Sequence, residues 1–256
     1  MCRWIAYLGE PIAPDKFLFE TEFCLVTQSQ AARKSEATVN GDGFGLGWYE
    51  RQSTPGVFRD VLPMWGDENL RSLSQQIRPY TFMAHVRAAT DTATIRLNCH
   101  PFTYDQFLFM HNGQIGGYPK VRRQLERRLD DKFYQSRQGS TDSELIFLLL
   151  IQYGADKHFG DACKALIEEV ETIQCDSGEN APFRFTAAFT DGDTLHAIRY
   201  STDDNPPSLF YRQGETGSVV VSEPLDDQVQ QWIDLPANHT LVVEHGFEPK
   251  PTPLDV

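Results

Sequence analysis

Basic charge is in short supply in this chain. Its 23 Lys and Arg stand against 36 Asp and Glu, a formal net charge of −13 over 256 residues. Nucleic-acid phosphates and anionic membrane surfaces both attract a basic face, so neither is expected as a partner. No stretch approaches the roughly 18 consecutive apolar residues of a membrane-spanning helix. Cysteine is sparse: the five residues (Cys2, Cys24, Cys99, Cys163 and Cys175) form an odd set with no CxxC spacing. That pattern predicts free, mostly buried thiols in a reducing cytosol rather than a disulfide framework. The seven histidines contain no HExxH and no i, i+4 pair, and His85, Cys99, His100 and His111 match no zinc spacing. No metal and no cofactor are therefore expected. Cys2 has no lipobox before it and no basic and apolar signal regions around it, which leaves a cytoplasmic location as the expectation.

Apolar residues make up 40% of the chain and aromatic residues 12%. With no linker or low-complexity tract to divide it, residues 2–256 are expected to form a single domain with a sizeable core. The chemistry begins at Met1-Cys2-Arg3-Trp4. Removal of Met1, favoured by a small second side chain, would leave Cys2 with a free α-amine beside its thiol. An α-amine of ordinary pKa near 7.7–8.0 is partly neutral at cytosolic pH and is able to accept the thiol proton. The alternative reading of Cys2 is an accident of the start codon.

Residues 2–8 read as a first strand, and 16–33 as a loop entering a helix. Gly41, Gly43, Gly45 and Gly47 recur at every second position and run into an apolar strand. The spacing is not that of a dinucleotide loop; glycines on one strand face permit close approach of a ligand or of another backbone. A helix over 68–78 ends at Pro79, and a buried strand spans 81–87. Arg87 closes that strand, either as a fork for a carboxylate or as a side chain that just reaches solvent. Asn98–Phe102 reads as a loop wall, in which the adjacent Cys99 and His100 cannot easily face each other as a dyad. A buried strand from Gln106 leads to His111-Asn112-Gly113, where the Asn amide and a Gly N–H are able to serve one oxyanion, or where the chain simply turns. A basic amphipathic helix covers 118–130. Thr141 and Glu144 read as a capping box before a buried helix. Asp142 then either complements the helix dipole or holds a ligand's ammonium group. A second helix spans about 161–174. The rest is β-rich, with a hairpin across Asp191-Gly192-Asp193.

Taken in order, Met1-Cys2, Gly41–Gly45 with Gly47-Trp48-Tyr49, Ala84–Thr90, Asn98–Phe102, His111–Gly113 and Thr141–Glu144 resemble the motifs of the class II glutamine amidotransferases, the glutaminase branch of the N-terminal-nucleophile hydrolases. The likeness is firm over residues 2–150 and looser at Ser222–Leu225. It implies an α+β fold, a four-layer αββα sandwich, and it implies roles. Cys2 would attack the side-chain amide of glutamine or of a γ-glutamyl compound. Asn112 and the Gly113 N–H would hold the oxyanion, and Arg87, Thr90, His100 and Asp142 would bind the substrate. Two departures stand out: Ala88 occupies a position that is aromatic in the large biosynthetic enzymes, and Asp91-Thr92 replaces their His-Gly. A smaller residue at 88 leaves room for a bulkier leaving group. The expected partner is thus a small-molecule substrate, with a separate synthetase receiving ammonia, or a silent binding role, as the alternatives.

Overall fold

The computed structural model describes residues 2–34, 39–89 and 92–256. In chain order the strands are β1 (Arg3–Gly9), β2 (Phe44–Tyr49), β3 (Gly56–Asp60), β4 (Thr81–Val86), β5 (Phe102–Tyr104), β6 (Phe107–Ile115), β7 (Phe183–Thr190), β8 (Thr194–Ser201), β9 (Phe210–Gln213), β10 (Gly217–Val221), β11 (Ile233–Asp234), β12 (His239–Glu244) and β13 (Lys250–Pro253). The α-helices are α1 (Leu25–Gln30), α2 (Glu68–Gln76), α3 (Tyr118–Glu126), α4 (Asp131–Ser136), α5 (Asp142–Gln152) and α6 (Phe159–Asp176).

Two antiparallel sheets result. One runs β11-β9-β10-β1-β4-β2-β3 and the other β13-β12-β8-β7-β6-β5. Strand alternation explains why they stack. On β1, Trp4, Ala6 and Leu8 join Met83, Tyr49, Leu108, Met110, Ala188, Leu195, Ala197 and Leu241 in a core between the sheets. The opposite face of the first sheet, with Ile5, Tyr7, Phe44, Leu46 and Phe82, packs with Leu25 of α1 and Leu70 of α2. The outer face of the second sheet, with Phe107, Phe109, Phe183, Phe185 and Phe189, packs with α3, α5 and α6 through Val121, Leu145, Leu149, Leu166 and Val170. The order helix, sheet, sheet, helix is the αββα sandwich that the family resemblance implies. Among the described residues no helix is long and apolar enough to cross a membrane.

The glycine stripe of β2 faces the gap between the sheets. A Cβ on Gly43 would lie 2.6 Å from Cys99 Sγ, on Gly45 2.1 Å from the His100 carbonyl oxygen, and on Gly47 2.8 Å from Pro101 Cγ. The segment 99–101 therefore runs directly over these glycines, which is the close backbone approach that their spacing allows.

Two details differ from expectation. The chain does not turn at Asn112-Gly113: β6 continues through it, paired with β7 as far as Ile115↔Phe183. The glycine is needed there because a Cβ would sit 1.9 Å from the Arg184 carbonyl oxygen. The basic helix over 118–130 is also shorter, ending at Glu126, and α4 follows it as a separate turn of helix.

Candidate active site

Period-2 alternation carries the inter-sheet face of β1 two residues back from Trp4, to Cys2. The thiol lies 3.8 Å from the carbonyl oxygen of Ala88, a weak S–H···O contact. The antiparallel pairing of β1 with β4 begins at Arg3↔Val86. One further step of that register sets Cys2 opposite Arg87, on the same face.

Arg87 is buried. Its backbone extends the ladder toward β2: its N–H donates to the Gly43 carbonyl at 2.8 Å, and its own carbonyl accepts from Asp42 N–H at 3.0 Å. Its guanidinium donates to Thr92 Oγ1 at 2.5 Å, to the Thr92 carbonyl at 3.3 Å and to the Asp42 carbonyl at 3.4 Å. Among the described residues no carboxylate forms an ion pair with it, a state in which a buried cation favours an anionic ligand. The Asp42 carboxylate instead accepts from Ala89 N–H at 2.8 Å, fixing the start of the loop after Arg87. Thr90, expected to touch substrate, lies outside the described residues, as does Asp91.

Across the gap, Leu108, Met110 and Asn112 share the inward face of β6. The Asn112 side chain is buried, and its Nδ2 has no hydrogen-bond partner among the described residues. An orphaned buried amide donor is costly unless a ligand or water completes it. Asp142 opens α5 and accepts from the Ile115 N–H at 2.9 Å through Oδ2. Ile115 N–H thus points away from β7, and by alternation so does Gly113 N–H. The Asn112 amide, the Gly113 N–H and the Asp142 carboxylate consequently gather at the end of β6 that β5 leaves uncovered.

His100 is placed in the inter-sheet wall. Its ring stacks on that of His85 at 4.2 Å between centroids and meets Phe102 edge-on at 4.6 Å. None of the four ring nitrogens has a hydrogen-bond partner among the described residues. Burial pushes His85 down to about 3 and His100 well below the ordinary histidine range, so both rings are neutral near pH 7.

Several contributors lie inside the sequence motifs, but the sequence reading assigns them no role at the site. His111 Nε2 faces the Arg184 carbonyl at 3.0 Å and its Nδ1 faces Ser143 Oγ at 2.9 Å. Ser143 Oγ in turn lies 3.2 Å from Asp142 Oδ1, so this pair orients the carboxylate from behind. Burial lowers the His111 pKa, while Asp142 pulls it the other way. Asn98 donates to the Ala93 carbonyl at 2.9 Å and accepts from Ser140 N–H at 2.9 Å. It clips the loop beyond Arg87 to the approach of Asp142. The capping box is half realised: Thr141 Oγ1 accepts from Glu144 N–H at 3.1 Å, but the Glu144 carboxylate accepts from Gln138 and Gly139 N–H at 2.9 and 2.7 Å. Glu144 thereby shapes the loop before Asp142 rather than closing back on Thr141.

Comparison with known proteins follows the same lines. Residues 16–206 match the family profile described as class-II glutamine amidotransferases. The probable glutamine amidotransferase DUG3 of Saccharomyces cerevisiae is 30% identical over 292 residues, covering 95% of this chain and 82% of that protein. The gamma-glutamyl-hercynylcysteine sulfoxide hydrolase of Mycolicibacterium smegmatis is 29% identical over 247 residues, covering 95% and 96%. A solved glutamine aminotransferase class-II domain protein from Silicibacter pomeroyi shares 35% identity at a TM-score of 0.78 over the whole of both chains. The glutamine phosphoribosylpyrophosphate amidotransferase of B. subtilis, 16% identical at a TM-score of 0.66, shares the fold over half of its own length.

Proposed function

The chain belongs to the class II glutamine amidotransferases, and on that premise we propose that it hydrolyses the γ-amide bond of a γ-glutamyl compound through Cys2. Removal of Met1 exposes the α-amine, which takes the thiol proton as Sγ attacks the γ-carbonyl carbon. Asn112 Nδ2 and the Gly113 N–H donate to the oxyanion of the tetrahedral intermediate. Collapse breaks the C–N bond, and the proton held by the α-amine passes to the departing nitrogen. Water then attacks the γ-glutamyl thioester, releases glutamate and restores the thiol. Arg87 pairs with the substrate α-carboxylate and Asp142 with its α-ammonium. Each end of the amino acid thus meets the opposite charge, and its side chain reaches toward Cys2.

The observation that carries this reading is the buried Asn112 amide on the inward face of β6, without a partner among the described residues, with Cys2 and Arg87 on the facing sheet, one register step beyond the Arg3↔Val86 pair. A γ-glutamyl compound is preferred over free glutamine because Ala88, whose carbonyl lies beside the Cys2 thiol, presents little bulk where a leaving group departs. The name of the mycolicibacterial relative, which covers nearly the whole chain, favours the same class. The test is glutamate release from L-glutamine and from a panel of γ-glutamyl peptides, with Met1 removal verified by mass and Cys2→Ala as control. Faster release from a γ-glutamyl peptide, abolished in Cys2→Ala, is expected. Release from glutamine alone, and only when a synthetase is added, would replace this reading with an ammonia-supplying subunit.

A further inference from the structure

The Ser222–Leu225 stretch takes no part in the reaction as written, yet it is buried against the start of β1. Arg3 points to the outer face of the first sheet and is fully buried. Its Nε donates to the carbonyl oxygen of Cys2 at 2.7 Å and its Nη1 to the Ser222 carbonyl at 3.3 Å. The Glu223 carboxylate, 1% exposed, stands 3.6 Å from the same Nη1. Glu223 also accepts from the backbone N–H groups of Arg33 and Lys34 at 2.9–3.1 Å and pairs with the half-exposed Arg33 side chain, Nε to Oε1, at 3.2 Å. Ser222 accepts the Trp4 N–H through its hydroxyl at 2.9 Å and donates its own N–H to the Trp4 carbonyl at 3.1 Å.

Cys2 has little else to hold it. The β1–β4 ladder begins at Arg3 and the β1–β10 ladder at Ile5. Among the described residues the Cys2 thiol makes only the weak contact to Ala88. The peptide plane that aims both thiol and α-amine is therefore set by the Arg3–Cys2 hydrogen bond, and a buried guanidinium holds its place only with a counter-charge nearby.

We propose that Arg3 and Glu223 form a buried positioning pair that holds the Cys2 carbonyl, and with it the nucleophile, in line with the pocket. The inference rests on Cys2 being the nucleophile. It assigns Arg3 and Glu223 no contact with substrate: their loss reduces the fraction of Cys2 in attacking geometry and leaves substrate binding alone.

The experiment compares wild type with Arg3→Met, Glu223→Gln, the double variant and Glu223→Asp. Turnover is read with γ-glutamyl-p-nitroanilide and L-glutamine, and the rate of Cys2 alkylation by iodoacetamide is read by peptide mass at neutral pH. Each single variant is expected to lose about tenfold or more in kcat with KM within about twofold, and to slow alkylation by a similar factor. The double variant is expected to be no slower than the worse single, as for two residues acting as a unit, and Glu223→Asp to recover part of the loss. Leu70→Ala, a buried truncation in the outer core remote from Cys2, serves as the stability control and is expected to lower Tm without altering kcat at 25 °C. Unchanged kcat and alkylation in the single variants, or additive losses in the double, would overturn the pairing. If wild type turns over neither substrate, the proposed function fails, and the alkylation ratios by themselves decide for or against the pair.

Discussion

Single residues at the site divide into those that donate to the substrate and those buried in its wall, and each kind predicts a measurable loss. Removing the Asn112 amide takes away one oxyanion donor while leaving Arg87 and Asp142 in place. Asn112→Ala should lower kcat by about a hundredfold or more with a small change in KM. A kcat within threefold of wild type would remove Asn112 from the reaction. His85 tests the opposite case. Its folded-state pKa of about 3 lies below the ordinary value of 6.5, so between those pH values the unfolded chain binds a proton that the folded chain refuses. The stability contributed by the neutral ring is complete above about pH 6.5 and is lost as pH falls toward 3, at roughly 1.4 kcal/mol per pH unit. Urea midpoints from pH 6.5 to 4 should fall steeply in wild type and less steeply in His85→Gln. An equal slope in the two proteins would show that the His85 ring takes up its proton in the folded state.

At the level of elements, the glycine stripe was legible in sequence, but its neighbour was not. Four glycines at alternate positions announce that something passes close to β2. Only the fold reveals that the passing segment is Cys99–Pro101, because its contact with β2 is between residues some 55 apart and leaves no local pattern. Gly45→Ala would force its Cβ onto the His100 carbonyl, a backbone atom unable to swing aside. The variant should unfold at lower denaturant by about 1–3 kcal/mol or more, and its His100 should lose its stack on His85. Wild-type stability in Gly45→Ala would mean that segment 99–101 has slack. The Asn112-Gly113 pair teaches the reverse. Local propensity reads a turn there, but pairing with β7 along the whole of β6 overrides it, and the glycine answers to the Arg184 carbonyl instead. The short helix α4 and strand β3 escaped notice because neither carries enough periodic residues to announce itself. Asp142 was visible as a first-turn carboxylate. Its tether to Ile115 and its backing by Ser143 and His111 depend on α5 packing along β6, a tertiary fact.

Across the whole molecule, the two ends of the chain complete what the middle begins. The apolar alternation of the strands and the stripes of the helices were enough to forecast layers, since each face must be covered. Strand order was not forecast, and it has a consequence for the nucleophile. The family profile spans residues 16–206, yet Cys2 enters on β1, which lies between β4 and β10, and β10 belongs to the last 40 residues. Cutting the chain after Pro206 would strip β9, β10 and β11 from the first sheet and β12 and β13 from the second. It would leave β1 as an edge, expose the apolar faces of β1 and β8 and remove Glu223 from Arg3. The truncated protein is expected to lack a cooperative urea transition and to release no glutamate, even though it retains every residue assigned to the chemistry. A cooperative transition with an m-value reduced only in proportion to the shorter chain would show that the first 206 residues fold without those strands, and the C-terminal segment would then have to be regarded as an appendage to the site rather than part of its frame.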